Sequence, residues 1–218
     1  MNRLSHELFF DLSSFKHRQL FSVGEPVWNT LKKLKTYLDK HSLGKIECDI
    51  PDQAILVNPE QISIGEGTVV EPGCYIQGPC IIGKHSEVRH GCYIRPYVIV
   101  GNRCVIGHAT EVKHAIFLNG SKAPHFNYVG DSILGNDVNI GAGVICANFR
   151  LDKKTVSVCV KGEKFSSDLK KFGAIIGDRS QIGCNTVLNP GVLIRKKSLI
   201  RSCISVCESN VRMEASHV

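Results

Sequence analysis

From Ile64 to Leu118 an isoleucine, valine or leucine stands at every sixth position, through Val70, Ile76, Ile82, Val88, Ile94, Val100, Ile106 and Val112. The beat returns at Ile176, Ile182, Leu188, Ile194 and Ile200, and a glycine often follows, as in Ile82-Gly83, Val100-Gly101 and Ile182-Gly183. A period of six fits neither the turn of a helix nor simple strand alternation; a fixed short period marks a solenoid of short strands joined by turns. Two residues ahead of each aliphatic runs a column of small residues: Thr68, Cys74, Cys80, Ser86, Cys92, Val98, Cys104 and Thr110, then Ser180, Thr186, Val192 and Ser198. A crowded interior needs such side chains. A β-sandwich requires no two columns in phase, so the expected class is all-β, a hexapeptide-repeat parallel β-helix.

Over 218 residues, 43% hydrophobic and 22% charged content fits one globular domain with a short appendage. No apolar run approaches a membrane span and the N-terminus lacks a charged-then-apolar export pattern, so a cytoplasmic protein without membrane contact is expected. Ten cysteines would suggest disulfides, but Cys74, Cys80, Cys92 and Cys104 keep the packing beat, which implies reduced thiols. Cys74 and Cys92 would stack on neighbouring coils. Zinc has weak support. His85 and His90 are spaced like a ligand pair of the γ-class carbonic anhydrases, which share this repeat, and His108 and His114 lie nearby. The third histidine that pattern wants on an earlier coil is missing, so no metal is expected. The net charge of +7 favours anions, and aromatics do not interleave with the basic residues. Small phosphorylated ligands are therefore expected, not nucleic acid.

Three regions follow along the chain. Residues 1–50 form a helical lead-in: over 25–43, Trp28, Leu31, Leu34, Tyr37 and Leu38 recur at helical steps between Pro26 and Gly44. The preceding Phe9, Phe10, Leu12, Phe15, Leu20 and Phe21 should pack against a neighbouring subunit or over the end of the prism. The β-helix is expected over 51–201. Within it the register slips between Lys113 and Gly135, where a loop should leave the body, and an excursion interrupts it over 149–173. In that excursion 155–160 alternates like an exposed strand and Lys161-Gly162 can turn. Residues 202–218 are expected to be a tail able to reach a partner subunit.

Three hexads per coil would set residues eighteen apart above one another, about 4.8 Å along the axis. Arg95 and Lys113 are so spaced, each after an inward aliphatic, which points both outward on one face. Stacked cations repel unless an anion or water separates them. Two readings follow: a phosphate site, or two solvated surface cations with Glu111 as a structural counter-ion. Nearby His125, beside Tyr128, is of the residue type suited to a general base at neutral pH.

Residues 120–131, Gly-Ser-Lys-Ala-Pro-His-Phe-Asn-Tyr-Val-Gly-Asp, and 136–143, Asn-Asp-Val-Asn-Ile-Gly-Ala-Gly, extend this reading. With Arg95-Pro96 and Glu111-Val112-Lys113, this stretch resembles the acetyltransferase half of the bifunctional UDP-N-acetylglucosamine pyrophosphorylase/glucosamine-1-phosphate acetyltransferases. The match runs from Arg95 to Lys154 and more loosely from about 60 to 200. The resemblance implies a left-handed prism, a homotrimer, and active sites between neighbouring prisms. It implies that Arg95 and Lys113 hold a sugar phosphate, that His125 is the base, and that Tyr128 and Asn139 contact the sugar. Ala142 and Asn148 would lie along acetyl-CoA, with Phe149 where the family often has tyrosine. Lys154 would reach the substrate from an adjacent part of the trimer, and Cys184 and Ser202 would be further cofactor contacts. The excursion, with 171–178, is similar to the longer archaeal-type form. Residues 1–50 carry no Gly-rich loop followed by Arg, so neither uridylyl transfer nor its Mg²⁺ is expected.

The implied activity is acetyl transfer from acetyl-CoA to the amine of an amino-sugar 1-phosphate, glucosamine 1-phosphate first, in the synthesis of UDP-N-acetylglucosamine for cell-envelope precursors. Two rivals remain: acylation of a nucleotide-linked amino sugar, and a trimeric binding or scaffold protein without turnover.

Overall fold

The six-residue beat becomes a three-sided prism of parallel strands in the computed structural model, which describes residues 4–160, 162–207 and 209. The prism is a left-handed parallel β-helix. Among the described residues its first face holds eight strands, from Ile55–Val57 through Glu111–Lys113 and Tyr128–Gly130 to Ser205–Val206. The second face holds seven, from Ile62–Ile64 to Val192–Ile194, and the third seven, from Val69–Val70 to Leu199–Ile200. The chain visits the faces in that order and then begins the next coil.

Both sequence columns point into the prism. Ile64, Val70, Ile76, Ile82, Val88, Ile94, Val100, Ile106 and Val112 share one buried core with Cys74, Cys80, Cys92 and Cys104. Each aliphatic so buried contributes about 1.5–3 kcal/mol before conformational entropy is subtracted. The small column also satisfies buried backbone. Thr68 donates to the Gly83 carbonyl at 2.6 Å and accepts from the Ser86 N–H at 3.0 Å; Ser86 donates to the Gly101 carbonyl at 3.1 Å and accepts from the Cys104 N–H at 3.0 Å.

Register changes are local. Ile94 lies opposite Val112, eighteen residues on, but Val98 lies opposite Ala115, so one residue is missing at Lys113-His114. The next coil is short at the same corner, where Lys113 faces Gly130 and Ile116 faces Ile133. The shortening turns Phe117 inward and Leu118 outward, against the expected inward place for Leu118. No loop leaves the body there. One residue fewer tightens a corner, whereas the chain departs one coil later, after Asn148.

The lead-in also differs from expectation. The helix covers Asn29–Asp39, shorter than 25–43, with Trp28 at its N-cap position. It does not cover an end of the prism. Together with Phe9, Phe10, Phe15, Leu20 and Phe21 it packs along the second face, whose outward residues Ile81, Ile99, Ile116, Ile133, Ile175 and Leu193 are all buried beneath it. A face aliphatic on both sides must be covered on both. The excursion joins this cover: Ser157–Val160 and Glu163–Ser166 pair as an antiparallel hairpin, and Val156 and Val158 are buried, so that strand is not two-sided in solvent. Of its expected turn, Lys161 is outside the described residues. Beyond Ile200 the prism continues, since Ser205–Val206 pairs with Val187–Leu188; the rest of the expected tail, 208 and 210–218, lies outside the described residues.

Candidate active site

Most of the expected site residues fall on two edges of the first face; Asn139 and Lys154 do not. At its junction with the second face lies a cleft of about 290 Å³ lined by Arg95, Lys113, Tyr128, Asn148, Phe149 and Lys171. Here the short corner matters: where the coil is one residue tighter, Lys113 and Gly130 sit side by side. A Cβ on Gly130 would meet both Asn148 Nδ2 and Tyr128 Oη at 2.6 Å. Glycine therefore makes the room in which Asn148 Nδ2 donates to Tyr128 Oη at 3.2 Å.

The two stacked cations are paired to carboxylates. Arg95 Nη1 donates to Glu111 Oε1 at 2.9 Å, and that bond with the neighbouring charge raises its pKa further. Lys113 Nζ lies 3.3 Å from Asp131 Oδ2, so Glu111 is the counter-ion of Arg95 and not of Lys113. Asp131 is only 5% exposed and also meets His114 Nδ1 at 2.9 Å and Asn148 Nδ2 at 2.5 Å. Burial works against its ionisation, but the bonds and charges of His114, Lys113 and Asn148 outweigh it and hold the carboxyl below the ordinary aspartate range. Burial raises the Tyr128 phenol, with Asn148 opposing.

The other edge is where the third face turns into the first. Lys122 lies opposite Asn139, Asn139 opposite Gln181, and Gln181 opposite Leu199. Three residues further along these coils, His125, Ala142, Cys184 and Ser202 form one column. Backbone bonds hold it: Gly143 N–H to the His125 carbonyl at 3.1 Å, Asn185 N–H to Ala142 at 2.8 Å, Cys203 N–H to Cys184 at 2.8 Å. The column continues upward from His125 to His108, which it pairs, and then His90. His108 Nδ1 bonds the His90 carbonyl at 2.8 Å and His90 Nδ1 the Pro72 carbonyl at 2.7 Å, so both of these rings are fixed. The His125 ring makes no hydrogen bond among the described residues; the Phe126 ring lies beside it, centroids 6.4 Å apart.

His125 ends the strand Lys122–His125 on the third face and does not line the cleft of Arg95 and Lys113. Asn139 stands on the third face, and Lys154 is exposed on the excursion outside the cleft. Among the described residues no three His, Cys, Asp or Glu side chains gather as a metal site, and no helix is long and apolar enough to cross a membrane.

Comparison with known proteins decides the kinship. Residues 76–170 match the family described as the GMPPB C-terminal domain. A bifunctional sugar-1-phosphate nucleotidylyltransferase/acetyltransferase of Sulfurisphaera tokodaii is 41% identical over 176 residues, 79% of this chain and 42% of that protein. The bifunctional protein GlmU of Methanococcus aeolicus is 38% identical over 177 residues, 79% of this chain and 43% of its own length. Most of this chain is thus similar to part of these bifunctional proteins. It spans less than half the length of those it matches. Among solved structures, the UDP-N-acetylglucosamine acyltransferase from Campylobacter jejuni aligns at 13% identity over 75% of this chain and 68% of that one, with a TM-score of 0.49.

Two residues at the site, Asp131 behind the cleft and Lys171 in its lining, escaped a reading by repeats. Asp131 stands one residue after the glycine opposite Lys113, and only the one-residue slip, counted strand by strand, would have placed it there. Lys171 lies in the excursion, where no period exists to count.

Proposed function

We propose that the protein transfers the acetyl group of acetyl-CoA to the amine of an amino-sugar 1-phosphate, with glucosamine 1-phosphate the first substrate to test. The observation that carries this reading is the gathering of Arg95, Lys113, Tyr128 and Asn148 in one cleft of a chain related to bifunctional nucleotidylyltransferase/acetyltransferases. The paired guanidinium and ammonium suit a phosphoryl group, and the phenol and amide suit sugar hydroxyls.

The chemistry asks little of the protein beyond position and one proton acceptor. The neutral amine attacks the thioester carbonyl, a C–N bond forms and the C–S bond breaks. His125 takes the proton the nitrogen sheds and returns it to the departing thiolate. Ala142, Cys184 and Ser202 share the His125 column, so a pantetheine arm lying along that edge, bound through exposed backbone, would bring its thioester to the imidazole. Asn148 and Phe149, at the cleft, would meet the far side of the acetyl group; Asn139 and Lys154 would reach the sugar from other subunits.

A homotrimer is part of the proposal: with His125 on one edge of the face and the cleft on the other, the edges of two neighbouring prisms would meet to enclose a substrate. The ring of His125, which makes no hydrogen bond among the described residues, would then be oriented by what the neighbour and the substrate supply. Uridylyl transfer is not part of the proposal.

Purified protein with acetyl-CoA should yield acetylated glucosamine 1-phosphate by mass spectrometry, and His125→Ala should not. Product only from UDP-linked glucosamine would move the reading to a nucleotide-linked acceptor; acetyl-CoA binding without product from either would leave a binding protein.

A further inference from the structure

The excursion returns to the prism through Lys171, Phe172 and Gly173, and each step is anchored. Phe172 is fully buried with its ring 6.1 Å from Trp28 of the lead-in, and its N–H donates to the Asn148 carbonyl at 2.9 Å. Gly173 N–H donates to the Asp131 carbonyl at 2.8 Å, and Lys171 forms an antiparallel bridge with Phe149. These bonds tie the two residues that follow Lys171 to Asn148 and Asp131, which organise the cleft.

The charges of the cleft do not contribute equally. Arg95 is offset by Glu111 at 2.9 Å and Lys113 by Asp131 at 3.3 Å. Lys171 has no carboxylate partner among the described residues, and it lines the same cleft. Its neighbours on the excursion point elsewhere: Lys170 Nζ donates to the Lys153 carbonyl at 3.2 Å, and Asp168 pairs with Lys32 at 3.5 Å. The uncompensated positive charge of the cleft is thus that of Lys171. A phosphate monoester carries about −1.5 to −2 charge at neutral pH, so two cations already paired to carboxylates are poorly matched to it without a third.

We propose that Lys171 is a phosphate-binding residue of this cleft, which makes the excursion the element that completes the anion site. The proposal rests on the reading of the cleft as the seat of a sugar 1-phosphate, and it assigns the selectivity for a terminal phosphate monoester to a residue outside the repeat.

The test uses the full chain carrying Lys171→Gln and, separately, Lys171→Arg. Calorimetric titration with glucosamine 1-phosphate and with glucose 1-phosphate, which lacks the amine, should show affinity lowered about tenfold in the Gln variant. The Arg variant should stay near wild type. In turnover the loss should appear in KM for the sugar phosphate, with kcat held within about twofold, and should vanish when glucosamine without phosphate is the acceptor. Equal melting temperatures keep the comparison clean, and the Arg variant serves where the Gln variant melts early. Wild-type affinity in Lys171→Gln would overturn the role of Lys171 while the phosphate reading stood; no binding of either sugar phosphate to wild type would overturn both.

Discussion

The two edges of the first face are built in opposite ways. At the Arg95 edge side chains are paired in advance: Glu111, Asp131 and Asn148 hold two cations and a phenol before any ligand arrives. At the His125 edge the backbone does the building, and the one imidazole with a proposed chemical role has no hydrogen bond among the described residues, while His90 and His108 above it are fixed. A grip on an anion gains from preorganisation because the cost of ordering is met at folding. On the proposed mechanism His125 would work across a subunit boundary and get its orientation only on assembly.

The largest test of that contrast is His125→Ala. Turnover should fall on the order of a hundredfold or more, while the melting temperature stays at the wild-type value because the ring holds nothing in place; a large fall in stability would show that the His125 edge is preorganised after all.

Joining the edges is tested by mixing defects. Co-expressed His125→Ala and Arg95→Ala chains, each inactive alone, should regain activity at about a quarter of the sites if one edge of each prism serves its neighbour in a closed ring. No recovery would place both residues in one chain's site.

Asp131→Asn probes the paired edge. It should lower stability by about 1–3 kcal/mol at neutral pH and weaken sugar-phosphate binding, since Lys113 and His114 lose their shared carboxylate. The carboxyl titrates below the ordinary range in the fold. Its contribution is therefore fully present above the unfolded value of about 3.9 and is lost as pH falls through the folded one. The gap between wild type and variant, measured by thermal melting across pH, should close in acid; a gap independent of pH would make the role of Asp131 one of shape alone.

The smallest effect concerns the cover beneath the paired edge. Burial, reinforced by the charges of His41 and Lys16, lowers His17 to about 4, and its Nδ1 meets Tyr37 Oη at 2.8 Å. The folded form prefers the neutral ring, so stability is complete above about 6.5 and is lost progressively toward pH 4. Trp28, the single tryptophan, packs on Phe172, and its fluorescence should report loosening of the lead-in over that window. His17→Gln should flatten the response. Loosening that leaves phosphate affinity unchanged would separate the cover from the cleft.

The prism was legible because its rule is periodic: a coil closes only if an aliphatic and a small residue return to the interior on every side, and that requirement is written in Ile64 to Val112 and Ile176 to Ile200. The stacking of Arg95 on Lys113 followed from the same count. Their partners did not. Which carboxylate answers which cation depends on a single missing residue at Lys113-His114, which brings Asp131 and not Glu111 to Lys113 and turns Leu118 out of the core. Lys171 was beyond any count, because an excursion has no period and its return is fixed by Phe172 packing on Trp28, more than half the chain away in sequence. Sequence alone determined the repeating interior, since each coil meets the same steric demand. Only the tertiary structure decided the separation of the two edges and the charge balance of the cleft, because those depend on contacts between segments that share no pattern.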